Sequence, residues 1–309
     1  MTETKFRLVT RSDFDGLVCA VLLRELELIG DILFVHPKDM QDGKITITDK
    51  DITTNLPYVE GAHLVFDHHA SEVERVGSRT NHVIDATAPS AARVVYRHFG
   101  GKERFTSISD EMMVAVDQAD SAQYQRADIL APERWSLLNF IMDARTGLGR
   151  FRTFRISNYA LMMELIDYCR SHSIEEILAL PDVRERVHLY WSHQHAFIEQ
   201  LEQRSRLEGN VVVLDLRDQD PIYAGNRFMI YALYPTATVS IHVLNGLRGQ
   251  NTVLAVGKSI VNRASKANIG SIMLEYAGGG HHAAGTCQVA NDQAEAILAN
   301  VVQRINDAG

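Results

Sequence analysis

The chain has 309 residues, of which 46% are hydrophobic, and its formal net charge is -8 at pH 7. This length favours two domains, and the hydrophobic share is enough for a core in each. The acidic balance argues against a large duplex nucleic-acid footprint, because phosphate contacts drive such binding, and leaves room only for a small basic pocket. Cys19, Cys169 and Cys287 are too far apart to suggest a disulfide framework or a zinc ribbon.

Neither a membrane span nor a secretory leader is expected. A helix that crosses a bilayer needs about 18 or more consecutive apolar residues, and the sequence has no such run. The N-terminal residues MTETKFRLVT lack the apolar stretch of a signal peptide. We therefore expect a cytoplasmic protein.

Predicted strands and helices alternate in the first part of the chain. The strands are apolar runs at 6–10, 32–36, 51–55 and 63–69, and the helical segments between and after them include 17–28 and 88–99. This alternation is typical of an α/β domain with a doubly wound, mostly parallel sheet. From about 105 to 207 the spacing of apolar residues is helical.

The composition changes after Glu208-Gly209, where β-rich runs separated by turns begin. Two further helices are predicted near 268–277 and 292–307. Together these patterns predict a doubly wound domain, a connecting helix and a smaller α+β domain. Their predicted bounds are 1–182, 183–207 and 208–309.

A polar turn after the first predicted strand holds two carboxylates, Asp13 and Asp15, on either side of Phe14. Ligands of open α/β sheets bind outside the carboxyl ends of the strands, and two carboxylates there repel each other unless a cation lies beside them. Oxygen-rich sites suit Mg²⁺ or Mn²⁺. The pattern also fits a polar turn that caps the next helix, since aspartate is a favoured N-cap residue.

Asp67, His68 and His69 end a later predicted strand, so we expect them at the same sheet edge. An ionised aspartate beside two imidazoles has little structural purpose without a metal or a proton-transfer role. Mixed carboxylate and imidazole ligation favours a transition metal such as Mn²⁺ over Ca²⁺. Taken alone, the string is also compatible with a polar strand end.

Asp117 and Asp120 lie near the end of a predicted helix, in VAVDQADSAQY. Their spacing lets both side chains face one side of the helix. Ser121 and Ala122 are small and leave room for close approach. Without the other motifs, this pattern is typical of an ordinary solvated turn.

The most unusual string in the chain consists of Gly278, Gly279, Gly280, His281 and His282. Glycines let backbone N–H groups approach an anion closely, and the histidines add donors. Arg263 and Lys266 lie upstream and are candidates for the same phosphate. We predict a buried turn that cradles a phosphate, with a flexible linker as the alternative.

In this order, VTRSDFDG, LVFDHHAS, VDQADSA and RASK…GGGHHAAG resemble the motifs of the DHH phosphoesterase family. The resemblance spans almost the whole chain. It implies a catalytic DHH domain over 1–182 and a DHH-associated, substrate-binding domain over 208–309. The family includes enzymes that degrade nanoRNA or pAp, RecJ-type exonucleases, cyclic-dinucleotide phosphodiesterases, pyrophosphatases and polyphosphatases.

The resemblance also implies roles for individual residues. Asp13 and Asp15 match the carboxylates that each hold one of two metal ions, and His68 matches the metal-binding histidine. Asp67 and His69 match neighbours that orient ligands or touch the phosphate.

The later motifs complete this implied site. Asp120 matches the last metal aspartate, with Asp117 as the nearby alternative. His281 in the glycine string, together with Arg263, matches the clamp on the substrate phosphate.

Two departures from the family pattern bear on the metal count. The stretch before Asp13 lacks the usual histidine, and the aspartate that bridges the metals is replaced by Asn55. Asparagine is a neutral and weaker ligand. The implied cofactor is therefore Mn²⁺, or Mg²⁺, as one or two ions.

The implied activity is metal-dependent hydrolysis of a phosphodiester, phosphomonoester or phosphoanhydride by a metal-activated water. The expected partner is a small phosphorylated substrate: a short single-stranded oligonucleotide, a pAp-like nucleotide or polyphosphate. Neither duplex nucleic acid nor a membrane is expected, and a homodimer remains open. The alternative is a nucleotide- or phosphate-binding protein with a degenerate metal site and little turnover.

Overall fold

The structure is a computed structural model that describes residues 5–151 and 153–309. The described residues form two compact units. The first takes in the described parts of Met1–Gln123, Pro132–Ala144 and Gly149–His188, and the second takes in Tyr124–Ala131, Arg145–Leu148 and Leu189–Gly309. Two short segments within the predicted first domain thus belong to the second compact unit.

A parallel sheet forms the centre of the first unit. Its strands are β1 (Phe6–Arg11), β2 (Ile29–Val35), β3 (Asp51–Thr54), β4 (Leu64–Asp67) and β5 (His82–Ile84). Their order is β2-β1-β3-β4-β5, and each neighbouring pair is parallel. The chain moves from β1 to β2 on one side and to β3 on the other, which creates a switch point where such sheets bind ligands. The predicted α/β class is confirmed.

Helices follow and connect these strands. They are α1 (Phe14–Glu25), α2 (Pro37–Gln41), α3 (Ala70–Val76), α4 (Ala91–His98), α5 (Asp110–Asp120), α6 (Arg126–Leu130), α7 (Arg134–Met142), α8 (Asn158–Ser171), α9 (Ile174–Ala179) and α10 (Pro181–Arg204). Of these, α6 and the part of α10 from Leu189 onward belong to the second unit. α1 packs against α4, α5 and α8, and its residues from Phe14 to Leu23 are buried. This burial explains why the helix is apolar on all sides.

A second, mixed sheet belongs to the second unit. Its strands are β6 (Ser205–Glu208), β7 (Val211–Asp215), β8 (Val239–Asn245), β9 (Thr252–Lys258), β10 (Gly279–His281) and β11 (Ala284–Val289). The order is β10-β11-β9-β8-β7-β6, and of the described pairs in this second sheet β7–β8 is parallel and the others are antiparallel. The remaining helices are α11 (Met229–Leu233), α12 (Ile269–Leu274) and α13 (Ala294–Ala308). Residues of α12 and α13 share one hydrophobic core with β7, β8 and β9.

The helix predicted over 183–207 differs from the structure at both ends. α10 begins at Pro181 and ends at Arg204, and β6 follows directly. β6 pairs with β7 in antiparallel register, and Gly209 in the turn has a φ of 64°, which glycine adopts without steric cost. Helical spacing cannot reveal this strand, because its hydrogen bonds come from residues later in the sequence. Within the described ranges, no helix has both the length and the apolar character needed to cross a membrane.

Candidate metal centre

Predicted site residues from separate motifs meet at the carboxyl edge of the parallel sheet. Asp13 and Asp15 follow β1, Asn55 follows β3, and Asp67 ends β4. Because β1, β3 and β4 are parallel neighbours, their ends emerge at one edge. Asp120 is the last residue of α5, which packs against α1.

The first turn of α1 fits only a glycine at position 16, because this turn packs closely against the end of β1. A Cβ added to Gly16 would lie 2.0 Å from the backbone oxygen of Arg11. The backbone N–H of Gly16 donates to Oδ1 of Asp13 at 2.9 Å, so Asp13 is the N-cap of α1. The capping alternative therefore describes Asp13 correctly, whereas Asp15 lies inside the first turn of the helix and is buried.

The Asp15 carboxylate is fixed by the start of α4. The backbone N–H groups of Ala91 and Ala92 donate to its two oxygens at 2.9 and 2.8 Å. The positive end of a helix favours a carboxylate at this place. Each oxygen keeps a further lone pair, so the same carboxylate can also coordinate a cation.

Asp15, His68 and Asp120 form a cluster that can hold a metal ion, since one ligand atom from each lies within 4.8 Å of the others. The Nδ1 atom of His68 lies 3.3 Å from the carbonyl oxygen of Ala88. A carbonyl only accepts, so Nδ1 carries a hydrogen and Nε2 is the ring nitrogen that faces the cluster, with a lone pair for a metal once the ring is neutral. This tautomer is the one that binds a metal through Nε2.

An unpaired buried atom supports the fit of a cation to this cluster. Nε2 of His68 lies 2.9 Å from Oδ2 of Asp120, yet it has no aligned hydrogen-bond partner among the described residues. A divalent ion would give Nε2 a directed partner in place of a proton.

The pKa values at the cluster are strongly perturbed. Burial raises the pKa of Asp15 well above its ordinary value, and the negative charge of Asp120 adds to this effect. Burial lowers the pKa of His68, but interaction with Asp120, and then with Asp15 and Asp67, outweighs burial and raises the pKa to about 9. A divalent cation would relieve the repulsion between these carboxylates and would take the place of the proton on the histidine.

Asp67 orients the two histidines that follow it. Its fully buried carboxylate accepts from the backbone N–H of His68 at 2.8 Å and lies 2.7 Å from Nδ1 of His69. The Nδ1 atom of His69 therefore donates to Asp67 and leaves Nε2 facing away from it. The side chain of His69 is 42% exposed, so it can reach a bound substrate.

Asp13 and Asn55 are held together outside the cluster of three ligands. The amide of Asn55 donates to Oδ1 of Asp13 at 3.1 Å, and Nε of Arg11 lies 2.9 Å from Oδ2 of Asp13. Asn55 has a φ of 54°, a left-handed conformation that asparagine tolerates better than most residues. The structure thus places Asp13 and Asn55 next to each other, and a guanidinium beside them.

Asp117 is engaged elsewhere. The hydroxyl of Ser90 donates to its Oδ1 at 2.7 Å, and Nη2 of Arg93 lies 2.5 Å from its Oδ2. These contacts tie the start of α4 to α5. Of the two aspartates at the end of α5, the structure brings Asp120 to Asp15 and His68.

The glycine string forms an exposed hairpin, so the predicted buried turn is wrong. β10 and β11 pair in antiparallel register, and His281 and His282 at the tip are exposed. A Cβ on Gly278 would lie 2.3 Å from the backbone oxygen of Thr286, and one on Gly280 would lie 2.3 Å from that of Ala284. Close strand packing therefore accounts for Gly278 and Gly280, which the sequence pattern alone attributes to anion binding. It does not account for Gly279, since no atom lies close to its Cβ position.

In the second unit, the structure adds a third cationic candidate to Arg263 and Lys266, the two that the sequence singles out. Nε of Arg263 donates to the backbone oxygen of Ile260, and the backbone N–H of Lys266 donates to that of Gly309. Lys258 was missed: its Nζ lies 3.3 Å from Nδ1 of His282. Arg11 was also missed as a site residue. Arg11 ends the observed strand β1, two residues before Asp13, and Lys258 ends the observed strand β9.

Comparison with solved structures identifies the family. The chain is 57% identical to PggH, a pGpG-specific phosphodiesterase from Vibrio cholerae, over 99% of this chain and 100% of that one, with a TM-score of 0.87. It is 16% identical to RecJ from Thermus thermophilus, solved with Mn²⁺, over 97% of this chain and 51% of that one, with a TM-score of 0.55.

A third structure, CDC45 from Entamoeba histolytica, is 9% identical over 97% of this chain and 95% of that one, with a TM-score of 0.53. These two distant similarities show the fold alone. No protein-family model and no curated protein sequence matches the chain. The similarity to PggH shows that the chain belongs to the DHH phosphoesterase family. It is therefore a phosphoesterase, a hydrolase whose site suits a divalent metal.

Proposed function

We propose that the chain hydrolyses the phosphodiester bond of pGpG, or of a closely similar 5′-phosphorylated dinucleotide, to two nucleoside monophosphates. One observation carries this proposal: 57% identity to a pGpG-specific phosphodiesterase over 99% of the chain. The cluster of Asp15, His68 and Asp120 supports the metal dependence of the reaction. The net charge of -8 favours a small substrate over a long nucleic acid.

In this proposal Asp15, His68 and Asp120 hold a divalent ion, Mn²⁺ or Mg²⁺. When bound, the ion supplies positive charge that activates water and stabilises charge developing on the phosphate oxygens. Asp15 is held for this role by the N–H groups of Ala91 and Ala92. The buried position of the carboxylate keeps its oxygens away from competing water.

His69 is our candidate for proton transfer to the leaving group. Asp67 holds its Nδ1 at 2.7 Å, which fixes the ring and leaves Nε2 to act. Hydrolysis adds water to phosphorus and breaks the bond to the 3′ oxygen, which must gain a proton as it leaves. We assign that proton to Nε2 of His69, whose ring donates it as the imidazolium, because Nδ1 keeps its own hydrogen for Asp67.

The exposed hairpin of the second unit and its neighbours are proposed to bind a phosphate of the substrate. The residues are Arg263, Lys266, Gly278, Gly279, Gly280, His281 and His282, to which we add Lys258. The N–H of Ala283 donates to Nδ1 of His281 at 3.2 Å, so Nε2 of that ring carries the hydrogen. An N–H donor at an exposed tip suits a phosphate oxygen.

The test is a substrate panel with the full chain. It compares pGpG, GpG, pAp, polyphosphate and an aryl phosphodiester, each with Mn²⁺, with Mg²⁺ and with a chelator, and chromatography follows the products. We expect metal-dependent conversion of pGpG to GMP that is lost in Asp15→Asn and His68→Ala. Asp292→Asn, which changes an exposed aspartate far along the chain, is the matched control.

Two results would contradict the proposal. Binding of pGpG without turnover under every metal condition would support the alternative of a nucleotide-binding protein. Faster metal-dependent hydrolysis of pAp or polyphosphate than of pGpG would keep the enzyme class but reject the substrate.

A further inference from the structure

The Asp13 carboxylate has a guanidinium at one of its oxygens, whereas the partners of the Asp15 oxygens are the backbone N–H groups of Ala91 and Ala92. Oδ1 accepts from the N–H of Gly16 at 2.9 Å and from the amide of Asn55 at 3.1 Å, and Oδ2 lies 2.9 Å from Nε of Arg11. We infer that the chain holds a single divalent ion, at Asp15, His68 and Asp120, and that the guanidinium of Arg11 takes the place of a second cation beside Asp13. This inference deepens the metal-dependent function proposed above and rests on it.

The orientation of Asn55 supports this inference. Its amide nitrogen faces Asp13, because the amide oxygen at the same distance would meet a carboxylate oxygen and be repelled. An aspartate at position 55 would place two carboxylates in contact, an arrangement that is stable only with a cation or proton between them. Asn55 replaces that repulsion by a hydrogen bond. Its position is fixed by its backbone N–H, which donates to the oxygen of Phe66 at 3.1 Å.

One divalent ion and Arg11 together match the charges of Asp15, Asp120 and Asp13, while Asp67, the other carboxylate at this edge, contacts Nδ1 of His69 at 2.7 Å. The carboxylates of Asp15 and Asp120 neutralise one such ion, and Arg11 neutralises Asp13. A second divalent ion at Asp13 would have to displace the guanidinium or lie next to it, and like charges in a partly buried site repel strongly. The side chains of Arg11 and Asp13 are 35% and 20% exposed, so water screens this repulsion only in part.

Arg11 also differs from a bound metal ion because its positive charge cannot be removed from the site. A guanidinium stays protonated in proteins and is not removed by a chelator or by acid. It lies at the end of β1, two residues before Asp13, so the strand itself fixes its distance from the site. The second positive charge is thus part of the chain, and only the first depends on the supply of metal.

The test is a count of bound Mn²⁺ that does not depend on turnover. Equilibrium dialysis of the full-length wild-type chain is expected to give one equivalent, and electron paramagnetic resonance is expected to show the resolved hyperfine lines of an isolated ion. The double variant Arg11→Ala/Asn55→Asp should bind two equivalents. Two such ions lie about 3.5–4 Å apart in two-metal sites, so their spins should couple and broaden the spectrum. The matched control, Arg11→Lys/Asn55→Asp, keeps the cation and should bind one.

The outcomes separate this inference from the function on which it rests. Two equivalents bound by the wild type would overturn the inference and leave the phosphodiesterase proposal intact. No bound equivalent would overturn both. If Arg11→Ala/Asn55→Asp keeps the wild-type unfolding midpoint and still binds one ion, Arg11 and Asn55 do not exclude the second ion. If that variant does not fold, the wild-type count decides alone.

Discussion

The Nε2 atom of His68 lies 2.9 Å from Oδ2 of Asp120, so the metal-free protein holds a proton where we propose that it binds an ion. Interaction with Asp120, Asp15 and Asp67 overcomes the effect of burial and raises the pKa of His68 to about 9. A histidine must be neutral to coordinate a metal. Protons and metal ions therefore compete for the same ring nitrogen.

This competition predicts that the apparent affinity for Mn²⁺ rises with pH between about 7 and 8.5, because His68 is protonated in this range in the metal-free protein. Titration calorimetry in buffers with different ionisation enthalpies, at one pH, should show protons released on binding. His36→Gln is the control, since it changes an exposed histidine outside the cluster. An affinity for Mn²⁺ that stays constant over this range would contradict the prediction.

The same pKa shift predicts how the stability of the metal-free protein depends on pH. The pKa of His68 in the folded state, about 9, lies above its ordinary value of 6.5. Its contribution to stability is therefore fully present below pH 6.5 and is lost as the pH rises towards 9. Burial raises the pKa of Asp15 as well, which acts in the same direction.

We therefore expect the urea midpoint of the chelated protein to fall as the pH is raised from about 6.5 to 9. Saturating Mn²⁺ should reduce this fall, because the ion replaces the protons at the cluster. His68→Asn should reduce it as well. A midpoint of the chelated protein that rises across this range would contradict the prediction.

Asp117 and Asp120 provide a pair of substitutions with opposite expected effects. Asp120→Asn should abolish Mn²⁺ binding and turnover, because its carboxylate, 21% exposed, lies beside His68 in the cluster. It should also remove part of the stability of the metal-free protein, because interaction with Asp120 keeps His68 protonated. Asp117→Asn should leave Mn²⁺ binding intact. It should lower the free energy of unfolding by about 1–3 kcal/mol, because it weakens the contacts with Ser90 and Arg93.

Dialysis against Mn²⁺ and denaturant unfolding of both variants check this prediction. Each variant is the control for the other, since they lie on the same helix and change the same chemical group. Loss of Mn²⁺ binding in Asp117→Asn with retention in Asp120→Asn would reverse the assignment of the two aspartates.

Much of the sheet edge was predictable from local sequence. Asp13 and Asp67 each stand at the end of an apolar run, and the rule that parallel strands end at one edge brings them together. The sequence left Asp117 and Asp120 unresolved, because their roles depend on which helix lies opposite. Only the fold shows that Arg93 of α4 pairs with Asp117 and leaves Asp120 to meet His68.

The less predictable features depend on residues distant in sequence. From the sequence alone, Asn55 counts only as the loss of a metal-binding aspartate. In the structure, its side-chain amide donates a hydrogen bond to Asp13. The glycine string favours a buried cradle, but the close approach of Thr286 and Ala284 in the paired strands explains Gly278 and Gly280. Strand β6 was hidden for the same reason, since β7 supplies its hydrogen bonds.

His69 is expected to affect turnover without affecting metal binding. His69→Gln removes the proposed proton donor, and removal of a general acid typically lowers the rate by about 100- to 10,000-fold. Mn²⁺ binding should fall by a smaller factor than turnover, because His69 is not a member of the cluster of Asp15, His68 and Asp120, although its ring lies 4.5 Å from that of His68. The rate constant for pGpG and the Mn²⁺ dissociation constant are the two measurements. A matched loss of both would mean that His69 holds the metal site together.

Lys258 is expected to bind a phosphate of the substrate together with His282. The ammonium group of Lys258 can only donate, so the 3.3 Å contact makes Nδ1 of His282 the acceptor, and Nε2 then carries the hydrogen. Nζ also donates to the backbone oxygen of Ser265 at 3.0 Å, which holds the charge in place. Two donors fixed in this way at an exposed hairpin suit a phosphate.

Lys258→Ala should therefore raise the KM for pGpG by about 10- to 100-fold, the usual contribution of one charge-assisted hydrogen bond, with a smaller effect on kcat. If the bound phosphate is the 5′ phosphate, the KM of the wild type should be higher for GpG, which lacks it, than for pGpG, by a similar factor. The KM of Lys258→Ala for GpG should then be little higher than that of the wild type for GpG. Lys102→Ala, which changes an exposed lysine paired with Asp110, is the control. A KM for pGpG unchanged in Lys258→Ala would show that the phosphate binds elsewhere. A change in kcat alone would place Lys258 nearer to the reacting bond than to the terminal phosphate.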